Sequence, residues 1–171
     1  MLRWFGVLAV LLLTLVAAPG QAGTARTGTI TAAQAPSAAL GEEIRYNVYL
    51  PSGYARGQDR YPVLYLLHGR GDSMEAWTRV KDSLDRMIAA KEIPALIAVM
   101  PDAPWNERGN WYVDSAYSAG KPVETAFTRD LVQHVDATYR TAPIRNARLV
   151  GGYSMGGAGA LRYALAHQDL F

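Results

Sequence analysis

Three stretches of this chain are almost continuously apolar over five or six residues: 62–67 (Pro-Val-Leu-Tyr-Leu-Leu), 96–100 (Leu-Ile-Ala-Val-Met) and 147–151 (Ala-Arg-Leu-Val-Gly). A strand without polar alternation is buried on both faces, the situation of a strand inside a parallel sheet. Between the first two runs, Trp77, Val80, Leu84, Met87 and Ile88 recur at helical spacing. Between the second and third, Val123, Phe127, Leu131, Val135 and Tyr139 step by four, and residues 158–166 follow as a third helical pattern. Strands separated by helices of this length predict an α/β fold, a mostly parallel sheet with helices on both faces.

The remaining elements are shorter signals. Ile44, Tyr46, Val48 and Leu50 alternate with polar residues, as a half-buried strand does, and Pro51, Ser52 and Gly53 turn the chain. Asp72 with Glu75 three residues on predicts a capping box opening the first helix, which Pro94 stops. Residues 103–120 are rich in aromatic and turn residues (Trp105, Trp111, Tyr112, Tyr117) and too irregular for one element. By position they lie over the strands' C-terminal ends, either as pocket lining or as core. No internal repeat of solenoid or propeller period is present.

The N-terminus reads as an export address. Arg3 supplies a positive start, residues 4–18 run apolar without a charge, and small residues at Gly20 and Ala22 suit cleavage after Ala22. That run is about 15 residues, short of the ~20 that a membrane-spanning helix needs. The expected organisation is therefore a signal peptide over 1–22, a linker over 23–41 rich in Ala, Thr, Gly and Pro, and a domain over 42–171. The expected site of action is secreted, periplasmic or extracellular, with no stable membrane insertion after cleavage.

Composition removes several kinds of chemistry. The 171 residues contain no cysteine, which excludes thiol nucleophiles, thiolate metal sites and disulfides. The three histidines, His68, His134 and His167, show no metal-ligand spacing, so neither a metal nor a cofactor is expected. Lys and Arg number 17 against 15 Asp and Glu, without a basic stripe, so a nucleic-acid partner has no electrostatic support.

The chemistry-bearing motif is Gly152-Tyr-Ser-Met-Gly156, a match to G-x-S-x-G immediately after the third buried run. Here a strand turns sharply into a helix with a serine at the apex, and crowding admits only glycine on either side. Ser154 would project above the sheet's C-terminal edge as a nucleophile. The helix N-terminus then points free N–H groups at the oxyanion formed on attack. Met155 N–H is one such donor. A second must come from the loop after an earlier strand, and His68-Gly69-Arg70 ends the first buried run. Arg70 N–H is the candidate, with Gly69 N–H one residue away as the alternative. The His68 side chain is expected to brace this loop rather than act as a base.

Several segments together resemble a known family. They are residues 62–69, 97–102 and 111–115, the helix ending at 136–140, the elbow 151–157, and 166–171 (Ala-His-Gln-Asp-Leu-Phe). In this order they resemble the esterase D-type "putative esterase" family of α/β-hydrolases. That family includes S-formylglutathione hydrolases, feruloyl and acetyl-xylan-type esterases, siderophore esterases and mycolyltransferases. The resemblance implies Ser154 as nucleophile, the backbone amides of Arg70 and Met155 as oxyanion hole, no cofactor, and a small-molecule or polysaccharide-linked ester as substrate.

The chain departs from the pattern after the elbow. An α/β-hydrolase carries its acid and then its histidine beyond the nucleophile. Only 17 residues follow Ser154. His167 is among them, but on the same helix it would lie roughly 20 Å from the nucleophile. His134 with Asp130 reads as a solvated pair. The expectation is an α/β-hydrolase lacking its C-terminal strands and helices, inactive as it stands. The alternatives are an acyltransferase of the mycolyltransferase type and a non-catalytic secreted binding protein on the same fold.

Overall fold

In the computed structural model, which describes residues 27–103, 111–116 and 120–171, five strands form one sheet. The strands are β1 (Thr29–Ser37), β2 (Glu42–Leu50), β3 (Val63–Leu67), β4 (Ile97–Pro101) and β5 (Arg148–Gly152), in the order β1-β2-β4-β3-β5. The three apolar runs become β3, β4 and β5, mutually parallel with β3 in the middle. β2 lies antiparallel against β4, and β1 antiparallel against β2. The predicted leader 1–22, Trp105 and Tyr117 lie outside the described residues.

Both faces of the sheet are covered at β3 and β4, and the side chains there sort between them with period two. Val63, Tyr65 and Leu67 of β3 and Ile97 and Val99 of β4 enter the larger core cluster, while Leu66, Ala98 and Met100 enter the smaller one on the other face. The larger cluster is closed by Phe127, Leu131, Val132 and Val135 and by Met155, Ala160 and Tyr163. The smaller is closed by Leu84, with Trp77, Val80 and Ile88 packed on it. A strand with a helix on each side has no solvated face for polar residues, which is why these runs lack alternation.

The helices differ in their bounds and regularity from what their patterns predict. The Asp72–Glu75 capping box does not form. Glu75 instead accepts a hydrogen bond from the Asn47 amide at 2.9 Å, a 3-10 turn spans Thr78–Val80, and α1 covers Lys81–Ala89 without a side-chain cap. The segment predicted as one helix over 123–139 is a short α2 (Val123–Thr125), a π-helical stretch (Ala126–Leu131) and α3 (Val132–Thr138). Within it the Thr128 hydroxyl takes the Glu124 carbonyl at 2.7 Å, an acceptor that a regular helix keeps for its own backbone N–H. The last helix, α4 (Met155–Ala166), starts three residues before its apolar pattern does.

The middle of the predicted linker 23–41 is corrected: residues 29–37 are β1, paired residue by residue with β2. Its inward face is built from small side chains, Ala35 and Ser37 being its buried residues, so it shows no apolar alternation to read. It is an edge strand, where Pro36 costs no ladder bond. Asp130 fastens its far end, accepting from the Ser37 hydroxyl at 2.7 Å and the Ala39 N–H at 2.9 Å. Among the described residues no helix is long and apolar enough to cross a membrane.

Candidate active site

The C-terminal ends of β3 and β5 are direct neighbours, with Leu67 opposite Gly152. β4 lies on the other side of β3, so successive connections leave β3 in opposite directions. Open α/β sheets form their crevice at such a switch point, outside the C-terminal ends of the strands. The two motifs singled out in the sequence, His68-Gly69-Arg70 and the elbow 152–156, follow these two ends.

Ser154 occupies the turn between β5 and α4 with φ 51° and ψ −122°. Positive φ is rare without glycine, and among the described non-glycine residues only Lys91 and Tyr112 share it. Such backbone persists only where its surroundings hold it. Here they do: Gly156 N–H bonds Tyr153 O at 2.9 Å, Ala158 N–H bonds Ser154 O at 3.1 Å, and α4 is anchored in the core by Met155, Ala160 and Tyr163. The flanking glycines are a steric requirement. A Cβ at Gly152 would lie 2.5 Å from Gly156 backbone atoms, and one at Gly156 would lie 2.6 Å from the His68 carbonyl oxygen. Ser154 itself is exposed. Its side chain, and the N–H groups of Met155 and Arg70, have no hydrogen-bond partner among the described residues.

His68 is fully buried and braces the loop, as its backbone position predicts. Ala103 N–H donates to its Nε2 at 3.0 Å, so the network assigns the proton to Nδ1, which donates to the Gly69 carbonyl at 2.8 Å. Asp102 stands 3.8 Å from Nε2 and is paired with Arg45 at 2.5 Å. With both ring nitrogens engaged by backbone, this imidazole ties the end of β3 to the end of β4. The other two histidines lie elsewhere. His134 meets the Tyr46 hydroxyl at 3.1 Å, and burial lowers its pKa. His167 bonds Glu124 at 2.9 Å at the far end of α4. None of the three is placed to take a proton from Ser154.

Two tyrosines support the site; of the two readings open for Tyr112, pocket lining or core, the structure shows core, and Tyr153 is one that the sequence does not single out. Tyr112 is fully buried in left-handed backbone at φ 57°, and its hydroxyl donates to the His68 carbonyl at 3.1 Å. Burial drives its pKa upward. Its ring meets His68 and Phe127 edge-on, and a Cβ at Gly159 would lie 2.7 Å from its own. Tyr153, the variable position of the motif, lays its ring on Gly69 and donates its hydroxyl to Asp72. That bond, and burial after it, raises the Tyr153 pKa. Trp111 is half exposed, with the Arg70 guanidinium 5.8 Å above its ring. Only the strain at Tyr112 and the crowding at Gly69 reveal these roles, and both are properties of the folded chain.

A mixed sheet whose parallel strands carry helices, with a strained serine where a strand turns into a helix, defines an α/β-hydrolase fold. Residues 37–171 match the family model described as "Putative esterase", and the chain belongs to that family. It is 34% identical over 137 residues to an esterase of Mycobacterium tuberculosis, covering 79% of this chain and 29% of that protein. It is 30% identical over 132 residues to an endo-1,4-beta-xylanase/feruloyl esterase of Xylanibacter ruminicola, covering 73% of this chain and 18% of that protein. Among solved structures, a ferulic acid esterase superposes with a TM-score of 0.78 at 33% identity, over 85% of this chain and 56% of the other. An S-formylglutathione hydrolase from Agrobacterium tumefaciens shares the fold at a TM-score of 0.69 and 23% identity, over 87% and 57%. The chain thus spans less than a third of these curated relatives and a little over half of these solved chains.

Proposed function

We propose that this chain carries the nucleophile half of a secreted serine ester hydrolase. Ser154 attacks the carbonyl of a small-molecule or polysaccharide-linked ester, and the amides of Met155 and Arg70 hold the oxyanion of the tetrahedral intermediate. The alcohol leaves, and water releases the acyl group from Ser154. The observation that carries the reading is the backbone of Ser154, strained, exposed and held between two glycines that tolerate no side chain. Loop strain of this kind has no packing purpose, whereas a nucleophile must stand clear of its own backbone.

The general base and its orienting acid come, on this reading, from outside residues 1–171. Two observations support it. All three histidines are engaged away from Ser154. Leu149, on the free edge strand β5, and Leu161 and Leu165 on the outward side of α4 are about half to two-thirds exposed. The export reading of residues 1–22 places the work outside the cytoplasmic membrane.

The test is direct. An open frame beyond the codon for Phe171 should supply an Asp or Glu and then a His, and the complete gene product should hydrolyse p-nitrophenyl acetate and take one fluorophosphonate on Ser154. Two relatives bear feruloyl or ferulic acid esterase in their names, so methyl ferulate belongs in the same assay. Residues 23–171 alone should be slower by a factor of about 10⁴ to 10⁶. Turnover that survives Ser154→Ala would overturn the assignment.

A further inference from the structure

The elbow and the loop after β3 are joined by one side chain, that of Tyr153. Its ring lies against Gly69: a Cβ there would come within 2.6 Å of Tyr153 Cε2, so residue 69 can only be glycine while the ring keeps this place. Trp77 meets the ring edge-on at 5.5 Å, and the Arg79 guanidinium lies 5.9 Å above it. The Trp77 indole N–H donates to the Leu67 carbonyl at 3.0 Å, which ties this group to the last residue of β3. At its far end the Tyr153 hydroxyl donates to the Asp72 carboxylate, and Asp72 N–H closes the turn on Gly69 O at 3.2 Å. The loop between these two attachments contains Arg70 and Gly71. Tyr153 is also the residue immediately before Ser154, so any shift of its ring is felt at the elbow.

We infer that Tyr153 and Asp72 are positioning residues that set the spacing between the Arg70 and Met155 amides before substrate arrives. The inference rests on the proposed oxyanion role of those amides. Donors aimed at a developing charge are effective only when they need no reorganisation at the moment of reaction. A loop carrying exposed Arg70 and Gly71 has little packing of its own to hold it. The ring gives the contact its shape and the hydroxyl gives it its register, so the two can be separated by mutation.

Tyr153→Phe keeps the ring on Gly69 and Trp77 and removes only the bond to Asp72. In the protein as its gene encodes it, amide hydrogen exchange over residues 69–72 should rise about tenfold while α1 and β4 stay as they were. Phosphonylation of Ser154 by a fluorophosphonate should slow about tenfold in its maximal rate, with little change in the concentration giving half that rate. Asp72→Asn still offers an oxygen to the phenol and should lie nearer wild type than Asp72→Ala. Unchanged exchange at 69–72 in Tyr153→Phe, or a rise shared equally by α1 and β4, would overturn the inference. Wild-type protein that takes no phosphonate, yet shows the exchange pattern, would remove the hydrolase reading and leave the Tyr153–Asp72 attachment standing.

Discussion

At Ser154 the chain holds a conformation that stabilises nothing around it. Glycine adopts φ 51° without the steric cost that a side chain carries. Ser154→Gly is therefore expected to raise the stability of the fold by about 1 kcal/mol, measured by urea denaturation, while abolishing phosphonate labelling. A variant no more stable than Ser154→Ala would show that the turn is unstrained. The neighbouring glycines differ sharply from one another. A Cβ at Gly156 meets backbone, 2.5 Å from the Leu67 carbonyl carbon and 2.6 Å from the His68 oxygen, and the end of β3 cannot retreat without opening the sheet. Gly156→Ala should cost about 3 kcal/mol or more. At Gly157 the nearest atom is Gly152 O at 3.4 Å, so Gly157→Ala should fall within about 1 kcal/mol of wild type. Equal urea midpoints for the two variants would remove the close approach of α4 to β3.

Between elements, single polar side chains do much of the fastening. Burial alone would raise the Asp130 carboxyl, but the Arg129 guanidinium, the Ala39 N–H and the Ser37 hydroxyl outweigh it and hold its pKa at about 2. A carboxyl depressed in the folded state stabilises above its unfolded value of 3.8, and that contribution is lost as pH falls through about 2. Asp130→Asn should therefore cost about 1–2 kcal/mol at pH 7, and most of the difference should vanish by pH 2, read from urea midpoints at the two pH values. A gap that persists unchanged in acid would assign the loss to shape rather than charge. The element scale is also where a sequence reading is weakest. β1 is invisible as a strand because its buried face is small, and the Asp72–Glu75 box fails because Asn47 and Tyr153, distant in sequence, claim those carboxylates.

Over the described residues as a whole, the sheet is protected unevenly. β1 ends one side with polar residues outward, whereas β5 ends the other with Leu149 49% exposed on one face, and Leu161 at 64% and Leu165 at 63% stand on the outward side of α4, which covers the other face. An uncovered parallel edge with apolar neighbours is a site for association. Replacing both Leu161 and Leu165 by Lys should leave the urea midpoint of residues 23–171 within about 0.5 kcal/mol and lower its tendency to self-associate, as followed by light scattering. Loss of folding in that variant would make the face part of the core instead.

What the residues determined unaided were the three parallel strands, the serine between glycines and the backbone loop at His68, because each depends on local pattern: an apolar run, a turn that tolerates no side chain, a strand end. Burial on both faces holds for β3 and β4 but not for β5, where Leu149 is exposed. What only the tertiary structure decided were the contacts between residues far apart in the chain. Ala103 N–H sets the His68 tautomer, Tyr112 carries strain to reach the His68 carbonyl, and Tyr153 spans to Asp72 across 81 positions. Such pairings arise from strand order and crossover, which place β3, β4 and β5 side by side, and no periodicity in the chain encodes that adjacency.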